Sequence, residues 1–146
     1  MRKDKGGKGG AIINMSSVAA LCPLPFSPIY NATKSAVLVF STGLGADEYF
    51  ERTDVRVLTI CFGVTDTGLV ALENMGSFDP EIEARLDVPL KKYPGQRVES
   101  AARAVIDMYK NGSSGSVWLS NSNEPVKDIT KFVTKAFGIM SEPIFQ

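Results

Sequence analysis

The chain reads as an α/β protein organised around a parallel sheet, and three observations predict it. Strand-like and helix-like stretches alternate along the sequence. The first strand-like run, Ala11-Ile12-Ile13-Asn14-Met15, is short and nearly continuously apolar, the pattern of a strand covered on both faces. No internal repeat, low-complexity tract or boundary signal interrupts the 146 residues, so residues 1–146 are expected to form a single domain.

Ahead of the first strand, the cluster Gly6-Gly7-Lys8-Gly9-Gly10 reads as a flexible lead-in loop. A phosphate cradle needs its glycines between a strand and a helix N-terminus, where backbone N–H groups converge on the anion, and here a strand comes next. Residues 20–28 hold Pro23, Pro25 and Pro28 and form a loop. Residues 29–52 carry a helical pattern. Ala36 to Phe40 leave that helix apolar nearly all round, which predicts burial on several sides, part of it against the sheet. A short connection through Thr53 and Asp54 leads to a second strand at 55–61.

Residues 68–95 contain Pro80, Pro89 and Pro94 and are irregular. They are either a surface loop or a lid over a substrate, with Leu69, Leu72, Met75 and Phe78 as apolar lining. Residues 99–109 read as a helix ending near Asn111-Gly112, and 116–119 as a last strand with Trp118 in the core. Ile129, Phe132, Val133, Ala136 and Phe137 fall at the spacing of a closing helix. The result is a parallel sheet of three strands with an open edge.

Sixteen basic residues balance sixteen acidic ones. Nucleic acid and anionic membranes are usually met by a positive excess, so neither is expected as a partner. Arg2, Lys3, Lys5 and Lys8 are expected to form a solvated tail. No histidine is present, so a Ser-His-Asp triad is excluded and no metal site is expected. Cys61 ends a strand and reads as a buried thiol, while Cys22 sits in a loop; two unpaired cysteines fit a reducing, cytoplasmic setting. A basic start followed by residues 11–21 imitates a signal peptide, but Asn14, Ser16 and Ser17 interrupt the apolar run. No stretch is long and apolar enough to span a bilayer.

The chemistry concentrates in Tyr30 and Lys34, four positions apart at the head of the first helix, with Ser16-Ser17 closing the strand before it. Residues i and i+4 share a helix face, so phenol and ammonium can point into one site. A free tyrosine has a pKa near 10 and is a poor base at neutral pH. A cation about 5 Å away, at an effective dielectric near 20, contributes roughly 3 kcal/mol, or about two pKa units, towards the phenolate. The tyrosine then becomes a general acid/base. A serine hydroxyl from the strand end can hold the reacting oxygen.

These residues resemble the short-chain dehydrogenase/reductase family. Gly10-Ala-Ile-Ile-Asn-Met-Ser-Ser-Val-Ala19 is similar to the family's fifth strand with its catalytic serine, and Tyr30-Asn-Ala-Thr-Lys34 to its Tyr-x-x-x-Lys signature. The family's serine lies thirteen positions before its tyrosine, which selects Ser17 over Ser16. Val55-Arg-Val-Leu-Thr-Ile-Cys-Phe-Gly63 is similar to the sixth strand and the Pro-Gly turn after it. Within the family, the nearest wording is that of insect alcohol dehydrogenases and NAD-linked hydroxyprostaglandin dehydrogenases.

The resemblance implies the C-terminal part of a doubly wound Rossmann-type parallel sheet, in three α/β/α layers, with the N-terminal nucleotide-binding half missing. It implies an NAD-dependent oxidoreductase converting a secondary alcohol to a ketone, with Ser17, Tyr30 and Lys34 as catalytic residues. Tyr30, Lys34, Gly63, Thr65 and Thr67 would contact NAD, and Val18, Ser27, Val64, Leu69 and Leu72 would line the substrate. The expected partners are a small alcohol or ketone and further copies of the chain, as a dimer or tetramer. Phe62 replaces the family's proline, which is expected to relax the backbone at the nicotinamide amide. The alternative is a truncated, catalytically incompetent relic that acts only in subunit association.

Overall fold

The computed structural model describes residues 1–71, 79–83 and 93–145. Strand β1 (Gly10–Ser17) pairs in parallel with β2 (Val55–Phe62) over the full length of both, from Gly10 opposite Val55 to Ser17 opposite Phe62. Strand β3 (Val117–Ser120) lies parallel on the other side of β2. The most apolar strand of the sequence therefore takes the centre, where both of its faces are covered. A fourth strand, β4 (Lys127–Asp128), pairs antiparallel with β3, so the expected three-stranded sheet has four strands. Its two residues are exposed and polar and carry no apolar signal. Among the described residues, β1 forms the opposite edge.

Helix α1 (Pro28–Leu44) follows β1, α2 (Asp47–Thr53) precedes β2, and a one-turn α3 (Pro80–Glu83) lies in the long excursion after it. Helix α4 (Val98–Asn111) precedes β3, and α5 (Thr130–Ser141) follows β4. Alternate β2 side chains point to opposite faces. Leu58 and Ile60 pack with Ala104 and Met108 of α4, while Cys61 packs with Leu38 of α1, Val117 and Val133 of α5. Helices on both faces make three α/β/α layers. No helix among the described residues is long and apolar enough to cross a membrane.

The helix expected over 29–52 is two helices. The break falls at Gly45-Ala46, where Ala46 turns extended. Gly45 is buried, and a Cβ there would stand 2.5 Å from the backbone of Gly115. The close crossing demands glycine, and the new direction carries α2 back to β2.

Two further expectations change. The basic start is not a free tail: Lys3–Lys5 form a 3₁₀ turn, Arg2 and Arg52 both pair with Asp4, and Lys3 reaches Asp54. The glycine cluster is pinned too, Gly9 N–H donating to Met1 O at 2.9 Å and Gly10 N–H to Asp54 O at 3.0 Å. Of the expected lid, Leu72, Met75 and Phe78 lie outside the described residues.

Candidate active site

Parallel strands all end on one side of a sheet, and in such folds the crevice beyond their carboxyl ends is where ligands bind. At that end a cavity of about 520 Å³ opens between the ends of β1 and β2, the first turns of α1 and the loop after β2. It is lined by Ser17, Tyr30 and Lys34, and also by Gly63, Thr65 and Thr67. Val18, Ser27, Val64 and Leu69 border it as well. Of the site residues named from the sequence, Leu72 lies outside the described residues, as do Met75 and Phe78 of the expected lid.

Local sequence explains why the three polar side chains meet. Pro28 occupies the first turn of α1, where its missing N–H costs nothing, and its fixed φ suits the helix start. Tyr30 then falls in the first turn and Lys34 one turn later on the same face. The Lys34 ammonium lies 5.6 Å from the Tyr30 ring centroid and donates to Met15 O at 3.2 Å. Strand β1 also grips the backbone of Lys34, through a Ser16 Oγ bond to Lys34 O at 2.9 Å.

Ser16 and Ser17 are both buried but differ in what their hydroxyls do. Ser16 spends its hydrogen on Lys34 O. At Ser17 the recorded bond is one it accepts, from Ala19 N at 3.2 Å, which caps the 3₁₀ turn Val18–Ala20. Its own hydrogen is therefore available to an acceptor in the cavity. Tyr30 is 42% exposed and stands at the rim.

Phe62 does not relax the backbone as expected. It stays in the ladder, opposite Ser17 on one side and Ser120 on the other, because unlike proline it keeps the N–H that a central strand uses. The next residue, Gly63, donates to Ser120 O at 2.9 Å. A Cβ on Gly63 would meet Asn121 Oδ1 at 2.0 Å, so glycine lets the loop lie against the end of β3.

Residues 1–76, just over half of the chain, match the family model for short chain dehydrogenases. The chain belongs to the short-chain dehydrogenase family. Alcohol dehydrogenase 1 of Ceratitis capitata is 36% identical over 132 residues, which cover 87% of this chain and 49% of that relative. The 15-hydroxyprostaglandin dehydrogenase [NAD(+)] of Mus musculus is 28% identical over 145 residues, 93% of this chain and 54% of the relative. The crystal structure of L-sorbose reductase from Gluconobacter frateurii, complexed with NADPH and L-sorbose, matches with a TM-score of 0.61 at 26% identity, over 82% of this chain and 48% of that one. The chain spans about half the length of the relatives it matches. The family's enzymes are oxidoreductases that use nicotinamide cofactors.

Sequence reasoning missed several residues of this short-chain dehydrogenase's cavity. Leu24, Phe26, Val70 and Tyr93 add apolar wall. Leu24, Phe26 and Tyr93 come from loops and Val70 from the 3₁₀ turn Gly68–Val70, where no periodicity marks an inward-facing side chain. Gln96 was missed too, although it is 2% exposed and hydrogen-bonded to Thr65. A lone glutamine after Pro94-Gly95 gives no pattern to read.

Proposed function

We propose that this short-chain dehydrogenase oxidises a small secondary alcohol to a ketone with NAD. The observation that carries the reading is the single cavity into which β1 delivers Ser17 while α1 delivers Tyr30 and Lys34. Ser17 donates its free hydrogen to the substrate oxygen and orients it. Tyr30 accepts the hydroxyl proton, acting through its ionised oxygen. Lys34, held by the Met15 carbonyl beside the Tyr30 ring, stabilises the negative charge that this requires. The first turn of α1 adds the positive end of the helix dipole.

The residues present fit the nicotinamide end of the cofactor. The loop after β2 brings Gly63, Thr65 and Thr67 to the wall of the cavity that Lys34 also lines. Tyr30, Lys34, Gly63, Thr65 and Thr67 are the contacts we assign. When bound, NAD supplies the acceptor for the hydride leaving the alcohol carbon. Apolar walls from Val18, Val64, Leu69 and their neighbours favour a neutral substrate, with Ser27 at the edge. The choice of NAD follows the name of the mouse relative. We further read residues 1–146 as one domain, working as a homo-oligomer in the cytoplasm, where free Cys22 and Cys61 stay reduced.

The test is NAD-linked oxidation of secondary alcohols by the wild type and Tyr30→Phe. Loss of a positioned general base removes roughly two to four orders of magnitude in rate. We expect Tyr30→Phe to lose at least about a hundredfold in kcat while still binding NADH. Wild-type turnover retained in Tyr30→Phe refutes the assignment.

A further inference from the structure

Gln96 sits where the chain returns from the excursion of residues 68–95, and both ends of its buried amide are used. Nε2 donates to Thr65 Oγ1 at 3.1 Å and to Ser120 O at 3.1 Å. Oε1 accepts from Ser120 Oγ at 2.9 Å. The backbone takes part as well: Gln96 N–H donates to Val64 O at 2.9 Å, and Gln96 O accepts from Asp66 N–H at 2.9 Å. Thr65 and Gln96 thereby form a parallel bridge outside the main sheet. Gln96 is 2% exposed and Ser120 0%, so these bonds act in a low-dielectric interior where a satisfied network rigidifies what it joins.

Two features make this more than loop packing. The amide joins the loop after β2 to the last residue of β3, so it fixes that loop relative to the sheet. The same loop supplies Gly63, Val64, Thr65 and Thr67 to the cavity, whereas Gln96 does not line it. We propose that Gln96 is a positioning residue that sets the cofactor side of the cavity by holding the loop through Thr65 and Ser120. The inference rests on the reading of that loop as the nicotinamide contact. It also specifies chemistry: the position needs two donors and an acceptor, which an amide has and a carboxylate lacks.

The experiment compares wild type, Gln96→Ala, Gln96→Glu and Ser120→Ala by NADH fluorescence titration and by amide hydrogen exchange. Gln96→Ala is expected to raise the NADH Kd roughly tenfold or more and to speed exchange at the Asp66 amide relative to β2 amides. Gln96→Glu gives the more specific signature. At about pH 8 its carboxylate cannot donate to Thr65 and faces the Ser120 carbonyl; near pH 5.5 it gains a proton, and binding recovers towards wild type. Ser120→Ala, which removes one bond and lies outside the cavity, shows a smaller effect in the same direction and serves if Gln96→Ala fails to fold. NADH affinities within about twofold of wild type in every folded variant overturn the proposal. A wild type that binds no NADH refutes the cofactor reading; unchanged Asp66 protection in the Gln96 variants refutes the positioning role itself.

Discussion

Ser16 and Ser17 show how one residue of register separates structure from chemistry. Adjacent in β1, one ties Lys34 in place and the other keeps a hydrogen for the cavity. Burial pushes the Cys61 pKa from 9.0 up to about 11, and the neighbouring Ser16 hydroxyl offsets only part of that rise. The consequence for stability has a definite sign. Above pH 9 the unfolded thiol ionises while the folded one keeps its proton, so Cys61's contribution is complete below pH 9 and is lost as pH rises through about 11. The full loss is of order 2–3 kcal/mol. Urea unfolding of wild type and Cys61→Ala should show the stability gap narrowing between pH 9 and 11; parallel curves would contradict the burial account. Ser17 was singled out only by the family's spacing to its tyrosine, whereas the role of Ser16 depends on where the Lys34 carbonyl lies in space.

At the scale of elements, α1 carries both the site and an unpartnered surface. Its inner side is fixed by Leu38, 3% exposed, and by a polar link in which Asn14 Nδ2 donates to Ser41 Oγ at 2.8 Å and Ser41 Oγ to Val37 O at 2.6 Å. Its outer side leaves Val39 55% and Phe40 63% exposed. An apolar-all-round helix was readable in the sequence, and so was the consequence that the sheet covers only part of it. We assign the rest to contact with another copy of the chain. Sedimentation at micromolar concentration should show an oligomer that Val39→Lys and Phe40→Lys together dissociate; a wild-type monomer would refute this. Strand β2 was legible because burial on two faces writes a continuous apolar run. Strand β1 carries the same pattern but, contrary to the expectation of cover on both faces, is an edge strand among the described residues, half-buried at 11–14 with Met15 exposed. The break at Gly45 was not, because the residue that forbids a side chain there, Gly115, is seventy positions away. Strand β4 was hidden for a different reason: its pairing is backbone work by exposed Lys127 and Asp128.

Across the whole molecule, the parallel order of β1, β2 and β3 decides where chemistry can happen. It gathers their carboxyl ends on one side, and α1 returns from β1 with Tyr30 and Lys34 to close the same space. The strand and helix patterns made this α/β arrangement legible, as did the three side chains at its mouth. The wall from Gly63 to Thr67 was legible only as residues, since its shape depends on Gln96 and Ser120, which meet it from distant parts of the chain. The account stands on the cavity holding a nicotinamide against Tyr30, Lys34 and Ser17, and the most direct measurement is an NADH fluorescence titration of the wild type beside Lys34→Ala. Saturable binding in the micromolar range, weakened roughly tenfold or more by Lys34→Ala, is the result expected. No binding up to millimolar NADH, or equal affinity in both proteins, would contradict it and leave subunit association as the better reading.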